Sequence, residues 1–104
     1  MKKNILILSL LLSTNAHCAD DSEWNVIAKK LKARIETKIA KHSLPGYCNV
    51  FIEFRHSKYH AIVTRVNTNG DFKICKVSKH LIKKGEKFRY RTPEKYLRIH
   101  VANE

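Results

Sequence analysis

Histidine and lysine are the side chains of this sequence that could carry out acid–base chemistry on a phosphate group. His60 and His100 lie in segments with strand-like alternation, and Lys58 lies two residues before His60. A secreted ribonuclease needs two imidazoles and an ammonium group around one phosphate. These three residues are therefore the candidate set for a small basic hydrolase, although no acidic residue is evident to orient either imidazole.

The histidines are also the candidate ligands of a metal ion. His56 and His60 flank a predicted hairpin loop, and His42 or His80 could supply a third imidazole. No cysteine or carboxylate is spaced to complete a tetrahedral set. We therefore predict no metal, no cofactor and no catalytic residue. A small secreted hydrolase or a metal-binding protein that uses His60 and His100 is the alternative function.

Composition limits the chain to one small, strongly basic domain. It has 104 residues, with 21 Lys and Arg against 9 Asp and Glu, a net charge of +12 and 43% hydrophobic residues. A multidomain enzyme with a separate cofactor-binding lobe needs roughly 150 residues or more, so that class is excluded. The charge alone leaves nucleic acid, anionic lipid and acidic proteins as candidate partners.

The first residues have the plan of a secretory signal. A cationic start at residues 2–3 precedes an apolar run at residues 5–12, which is too short to cross a bilayer. We predict a signal peptide at residues 1–18, with cleavage near residues 16–19, and a single domain at residues 19–104. We expect no transmembrane anchor, and no nucleic-acid partner, because export removes the usual nucleic-acid substrates.

Export also changes which chemical role is expected for the cysteines. An oxidising compartment favours disulfides over zinc sites or redox chemistry. Cys48 and Cys75 are the two cysteines that remain after residues 1–18 are removed, so we predict that they form a disulfide.

Hydrophobic periodicity predicts two helices and three strands. The first helix runs from Asp20 to His42 and buries a stripe of residues spaced by three and four: Trp24, Ile27, Ala28, Leu31, Ile35 and Ile39. The segments Cys48–Arg55 and His60–Val66 alternate and form a hairpin, after which residues 67–70 turn the chain.

Asp71 is the predicted N-cap of a second helix, which ends at residues 83–85. Its inward residues are Ile74, Val77, Leu81 and Ile82. An extended basic stretch at residues 88–91 leads to a third strand, Tyr96–Val101. The order α-β-β-α-β predicts an α+β sandwich of two layers, with a three-stranded antiparallel sheet and both helices packed on one face.

Several of these residues together resemble the C-terminal domain of TolA, the periplasmic tip of the bacterial Tol-Pal system. The resemblance covers about residues 24–101. Its motifs are Cys48-x-x-x-Ile52, Asn69-Gly70-Asp71, Ile74-Cys75, the helix pattern Ile35-x-x-Lys38-Ile39 and the closing segment Pro93 to Tyr96-Leu97-x-Ile99. The related TonB C-terminal fold is a weaker match, because its Tyr-Pro signature before the first strand is absent here and a cysteine pair is not a TonB feature.

The resemblance implies a periplasmic binding module and no enzymatic activity. The family binds the N-terminal segment of TolB, colicin translocation domains and the tip protein of filamentous phages, in several cases by adding a peptide strand to the sheet. Carried over to this sequence, the implied docking edge consists of Tyr96, Leu97, Arg98, Ile99 and His100. We expect a monomer whose sheet leaves this edge unpaired.

The sequence departs from TolA in one important respect. TolA has a membrane-spanning helix and a long helical stalk, whereas here the predicted signal leads almost directly into the domain. We therefore expect a free TolA-like module. Such a module would serve as a decoy or immunity factor against a colicin or phage, or as an accessory of the Tol-Pal machinery.

Overall fold

The computed structural model describes residues 20–89 and 95–103. The predicted signal peptide therefore lies outside the described residues. The first element is a short 3-10 turn, Asp21–Glu23, and it is followed by helix α1, Val26–Lys41. Asn25 caps α1 by accepting a hydrogen bond from the amide of Ala28 at 3.0 Å.

The predicted first helix is correct in its core stripe and wrong at its start. Ile27, Ala28, Leu31, Ile35 and Ile39 are buried, whereas Trp24 is 59% exposed. The reason is that Asn25 caps the helix, so Trp24 precedes the first helical turn and does not share its periodicity. At the other end, Ser43 adopts a positive φ of 54°, and the chain then enters the sheet.

Two long strands form the centre of the sheet. Strand β1, Gly46–His56, pairs antiparallel with β2, His60–Gly70, from Cys48 opposite Gly70 to His56 opposite Ala61. Residues 67–70, predicted as a turn, thus continue β2, because they complete the ladder opposite the first half of β1. The chain turns one residue later, where the Asp71 amide donates to the Tyr47 carbonyl at 2.9 Å.

Gly70 is required at this corner. Its φ is +148°, and a Cβ placed there would lie 2.7 Å from the Tyr47 carbonyl oxygen. Helix α2, Phe72–Leu81, starts immediately afterwards and ends earlier than predicted, because Ile82 is extended with φ −111° and ψ 107°. Asp71 occupies the N-cap position, but its carboxylate accepts from the Tyr47 amide at 2.8 Å and not from the helix.

The sheet has four strands, which corrects the three-stranded prediction. The additional strand, β3, Lys87–Arg89, lies within the stretch predicted only as extended, and it pairs antiparallel with β2. Short as it is, β3 is held by burial of Phe88 opposite Ala61. The ladder is continued by bonds from the Val63 amide to the Glu86 carbonyl and from the Gly85 amide to the Val63 carbonyl.

Strand β4, Tyr96–Asn103, pairs antiparallel with β1, and the order across the sheet is β3-β2-β1-β4. Both helices pack on the same face of this sheet, which confirms the α+β class. The core is formed between these layers by buried residues from all four strands and both helices; its largest fully buried side chains are Phe54, Leu31, Ile35, Ile39, Ile52, Ile74, Leu97 and Ile99.

A disulfide and a hydrogen-bonded ion pair hold the two helices to the rest of the fold. The disulfide between Cys48 on β1 and Cys75 on α2 confirms the predicted pairing, with a Cα–Cα distance of 5.2 Å. Arg34 on α1 donates to both carboxylate oxygens of Glu86, at 3.1 and 2.9 Å, and to the Leu81 carbonyl at 3.0 Å. The Arg34 hydrogen bond lowers the pKa of Glu86 and outweighs partial burial, which raises it.

Removing the disulfide tests how much the fold depends on it. The double substitution Cys48→Ala/Cys75→Ala should lower the free energy of unfolding by about 3–4 kcal/mol, because the bond closes a loop of about 28 residues in the unfolded chain. Urea titration followed by circular dichroism measures this loss, and the reduced wild-type protein should lose a similar amount. Unchanged stability in both samples would contradict a structural role for the bond.

Candidate functional site: the outer edge of β4 and the open face of the sheet

Strand β4 lies at one end of the four-stranded sheet, and its backbone groups alternate between β1 and the outside. The Phe54 amide on β1 donates to the Lys95 carbonyl at 2.9 Å. Residue 95 and the odd-numbered residues that follow therefore point their backbone groups at β1, and the even-numbered ones point them outward. The five residues of the implied docking edge, 96–100, all lie on this strand.

Two of the outward amides of β4 are already bonded by carboxylates of the protein itself. The Arg98 amide donates to Asp21 Oδ2 at 2.8 Å, and the Ala102 amide donates to Glu36 Oε2 at 3.1 Å. Asp21 belongs to the 3-10 turn and Glu36 to α1. The sequence led us to expect an unpaired edge. In the structure, side chains cover two of its amides, and the described residues supply no further strand beside it.

The turn that carries Asp21 is held in place by its neighbour Asp20. Asp20 accepts a hydrogen bond from the Ser22 amide at 3.0 Å and forms an ion pair with Lys32 on α1. Burial raises the pKa of Asp20, but the hydrogen bonds from Lys32 and Ser22 outweigh it and keep that pKa below its ordinary value. The carboxylate of Asp21 is therefore presented to β4 from a turn that is fastened to α1.

A pocket of about 670 Å³ opens where β4 begins. It joins the 3-10 turn to the face of the sheet that the helices leave uncovered. Three exposed rings lie among its lining residues, Trp24 at 59%, Tyr96 at 61% and Phe51 at 37% exposure. The other lining residues are Asp21, Ile52, Glu53, Arg65, Asn67, Leu97 and Arg98. The pocket offers an apolar side chain an aromatic surface, and the guanidinium groups of Arg65 and Arg98 lie there together with the carboxylates of Glu53 and Asp21.

The uncovered face of the sheet, which we call the open face, is polar, aromatic and basic. Directly opposite residues share a face, so the pairings arrange it in rows. One row joins Asn67, Phe51 and Arg98 across β2, β1 and β4, and the next joins Arg65, Glu53 and Tyr96. Arg65 contacts Glu53, with Nε and Oε1 3.5 Å apart.

His100 lies on the open face and is held by two contacts. Its Nδ1 is 2.8 Å from Asn49 Oδ1, and its ring stacks on Tyr47 with centroids 5.5 Å apart. Because the amide oxygen of Asn49 can only accept, Nδ1 is the donor in this pair. His100 is thus an orienting and packing group within the face.

The candidate hydrolase residues are not brought together. His60 lies opposite Arg89 at the far end of β2, whereas His100 lies opposite Asn49 near the start of β1. The seven residue steps along β1 from position 49 to position 56 correspond to roughly 23 Å. A single phosphate cannot contact both imidazoles. Within residues 20–89 and 95–103, no three His, Cys, Asp or Glu side chains are grouped in a way that could hold a metal ion.

Three features of this site were not predicted: the Asp21 bond, the Glu36 bond and the pocket beside Trp24. The sequence does carry a signal for the first two, because acidic residues are scarce in a chain of net charge +12. Six of them make a specific contact in the structure: Asp20, Asp21, Glu36, Glu53, Asp71 and Glu86. Scarce acids in a basic chain are therefore candidates for structural contacts.

Comparison of the chain with protein-family models, with curated proteins and with solved structures found no match. In the part of the chain that the structure describes, neither helix combines the length and apolar character needed to span a membrane.

The bond from Asp21 to β4 can be tested by amide hydrogen exchange. Asp21→Ala should accelerate exchange of the Arg98 amide about tenfold, because a hydrogen bond to a charged acceptor is worth about 1.5 kcal/mol. Two-dimensional NMR measures this rate. Glu23→Ala, in the same turn, removes an equal charge and should leave the Arg98 rate unchanged. Equal effects of the two variants would mean that Asp21 acts only through its charge.

Proposed function

We propose that this protein is a periplasmic protein-binding module similar to the C-terminal domain of TolA. It binds an extended segment of an envelope protein, a colicin or a phage protein, and the segment adds a strand beside β4. The observation that carries the proposal is the position of β4 at the end of the sheet, with the backbone groups of residues 96, 98 and 100 directed outward. An extended guest would complete the ladder there.

The guest must displace at least the Asp21 carboxylate from the edge. A single hydrogen bond of a partly solvated carboxylate contributes about 1–2 kcal/mol, whereas a strand of five residues supplies several backbone bonds together with side-chain contacts. Asp21 therefore protects the free edge from unselective pairing, as charged side chains do on many edge strands. It does not close the edge to a guest of the right shape.

Charge and the neighbouring pocket indicate the chemistry of the guest. Arg98 and Lys95 are exposed on or beside β4, and Arg65 lines the pocket. An acidic segment would be attracted by these cations, and its association would weaken as salt is added. An apolar side chain of the same segment would fill the pocket between Trp24 and Tyr96, since exposed aromatic rings are frequent anchors of binding.

The expected export gives such a module two roles. As a free domain in the periplasm, it would compete with the envelope's own Tol machinery for a colicin or phage protein, and thus act as a decoy or immunity factor. Alternatively it would assist the Tol-Pal system by binding a TolB-like N-terminal segment. Both roles use the same edge and require no turnover of substrate.

Two substitutions with opposite expected effects test strand addition. Arg98→Pro removes an outward N–H without removing a bond to β1, so binding should weaken by about tenfold or more, at about 1.4 kcal/mol per factor of ten. Asp21→Ala frees the same amide for the guest and should strengthen binding severalfold. Calorimetry with a TolB N-terminal peptide, a colicin translocation domain and a phage tip domain measures both changes.

The matched control for this experiment is Glu23→Ala, which changes charge in the same turn and should leave affinity nearly unchanged. NMR shift changes on adding the peptide should follow residues 96–100. If none of the three probes binds, or if the shifts follow α1 and both substitutions are without effect, strand addition at β4 is wrong.

A further inference from the structure

The open face carries more positive charge than strand addition at β4 requires. Its exposed cations come from all four strands, and its only carboxylate among the described residues is Glu53, which is already paired with Arg65. These cations are Arg55 on β1, Arg65 on β2, Lys87 and Arg89 on β3, and Arg98 on β4. Neither α1 nor α2 covers them, because both lie on the other face.

Phe51 provides an aromatic surface in the middle of this charge. It lies on the central strand β1, is 37% exposed and is flanked by Asn67 on one side and Arg98 on the other. Any of the nucleotide bases can stack on such a ring, because every base has a flat π-face. The position of the ring between an amide and a guanidinium group allows a stacked base to be hydrogen-bonded at its edge.

A second flat surface and a group of amides extend the same pattern. The Tyr47 and His100 rings are stacked at one end of the open face, and Tyr47 is 42% exposed. Asn49 and Asn69 lie opposite each other in the same row as His100, next to the Phe51 row. Asparagine side chains both donate and accept, as base edges do.

We propose that the open face binds single-stranded nucleic acid, with bases stacked on Phe51 and Tyr47 and phosphates held by Arg55, Arg65, Lys87 and Arg89. The surface differs from the one used in strand addition because it extends over β1, β2 and β3, and the two share Phe51 at the pocket beside β4. The expectation of no nucleic-acid partner rested on export alone, and export does not alter the chemistry of this face.

The composition of the open face favours nucleic acid over the other anionic partners. An anionic membrane would use the cations but has no use for a flat ring among asparagines. An acidic peptide would use Phe51 at the pocket beside β4, but not the Tyr47–His100 stack or the asparagines next to it. Lysines on the helices also offer charge, so a partner that needs charge alone would not select the open face. Stacking combined with phosphate contacts is the usual basis of single-strand recognition on sheet surfaces.

Fluorescence anisotropy with labelled twelve-nucleotide oligo-dT and oligo-U tests this proposal. Affinity should fall with salt at a log–log slope of roughly −2 to −3, as expected for three or four phosphate contacts. Phe51→Leu should weaken binding roughly 5- to 100-fold with an unchanged slope, because it removes stacking and leaves charge. Arg55→Gln should reduce the slope by about 0.7.

Two further variants control the measurement. Lys29→Gln removes one exposed charge from α1, which is not part of the open face. It should leave the salt slope unchanged and alter the affinity only slightly. Tyr47→Leu removes the second ring and provides an independent test if Phe51→Leu proves unstable by circular dichroism. Asp21→Ala, which should strengthen peptide binding, leaves the rings and cations of the open face in place. It should change oligonucleotide affinity no more than Glu23→Ala does, which separates this proposal from strand addition.

Several results would overturn the proposal. Equal binding of polyglutamate and oligo-dT, or unchanged affinity in both ring variants, would show a surface that responds to charge alone. Binding to vesicles of anionic phospholipid that depends on Phe51, in the absence of oligonucleotide binding, would assign the open face to a membrane.

Discussion

The fold depends on covering one face of the sheet and leaving the other uncovered. The Cys48–Cys75 bond joins the central strand β1 to α2, and the stripe of α1 fills the rest of the same face. In a domain this small, one buried layer between helices and sheet is all that the apolar residues can supply. The open face and the outer side of β4 are therefore consequences of how the core is built, and they are the surfaces available to partners.

Acidic side chains have a distinct task in this basic molecule. Asp21 and Glu36 each accept a hydrogen bond from an outward amide of β4, at 2.8 and 3.1 Å. Asp71 likewise accepts a hydrogen bond from the Tyr47 amide near the start of β1. A carboxylate satisfies an exposed amide without extending the sheet. Charged groups at an edge disfavour unselective strand pairing, and the proposed guest displaces these side chains and not a strand.

The sequence predicted those parts of the fold that depend on local periodicity. The stripe of α1, the alternation of β1 and β4, the class of fold and the cystine all follow from residue types and spacing. The continuation of β2 through residues 67–70 and strand β3 depend on distant pairing, and no local pattern at Phe88 reports that pairing. The start of α1 is local, because Asn25 caps the helix, but the spacing of Trp24 from Ile27 and Ala28 placed Trp24 in the helical stripe. For the site, position on β4 was predictable, whereas the contact of Asp21, 77 residues away from Arg98, was not.

The central claim is that β4 has one side paired and one side available to a guest. Amide exchange along residues 96–102, with and without the guest peptide, measures this most directly. We predict slow exchange at 97, 99 and 101 in the free protein, faster exchange at 96 and 100, and added protection at 96, 98 and 100 when the guest is bound. Uniform slow exchange along the free strand, unchanged by the guest, would contradict the account.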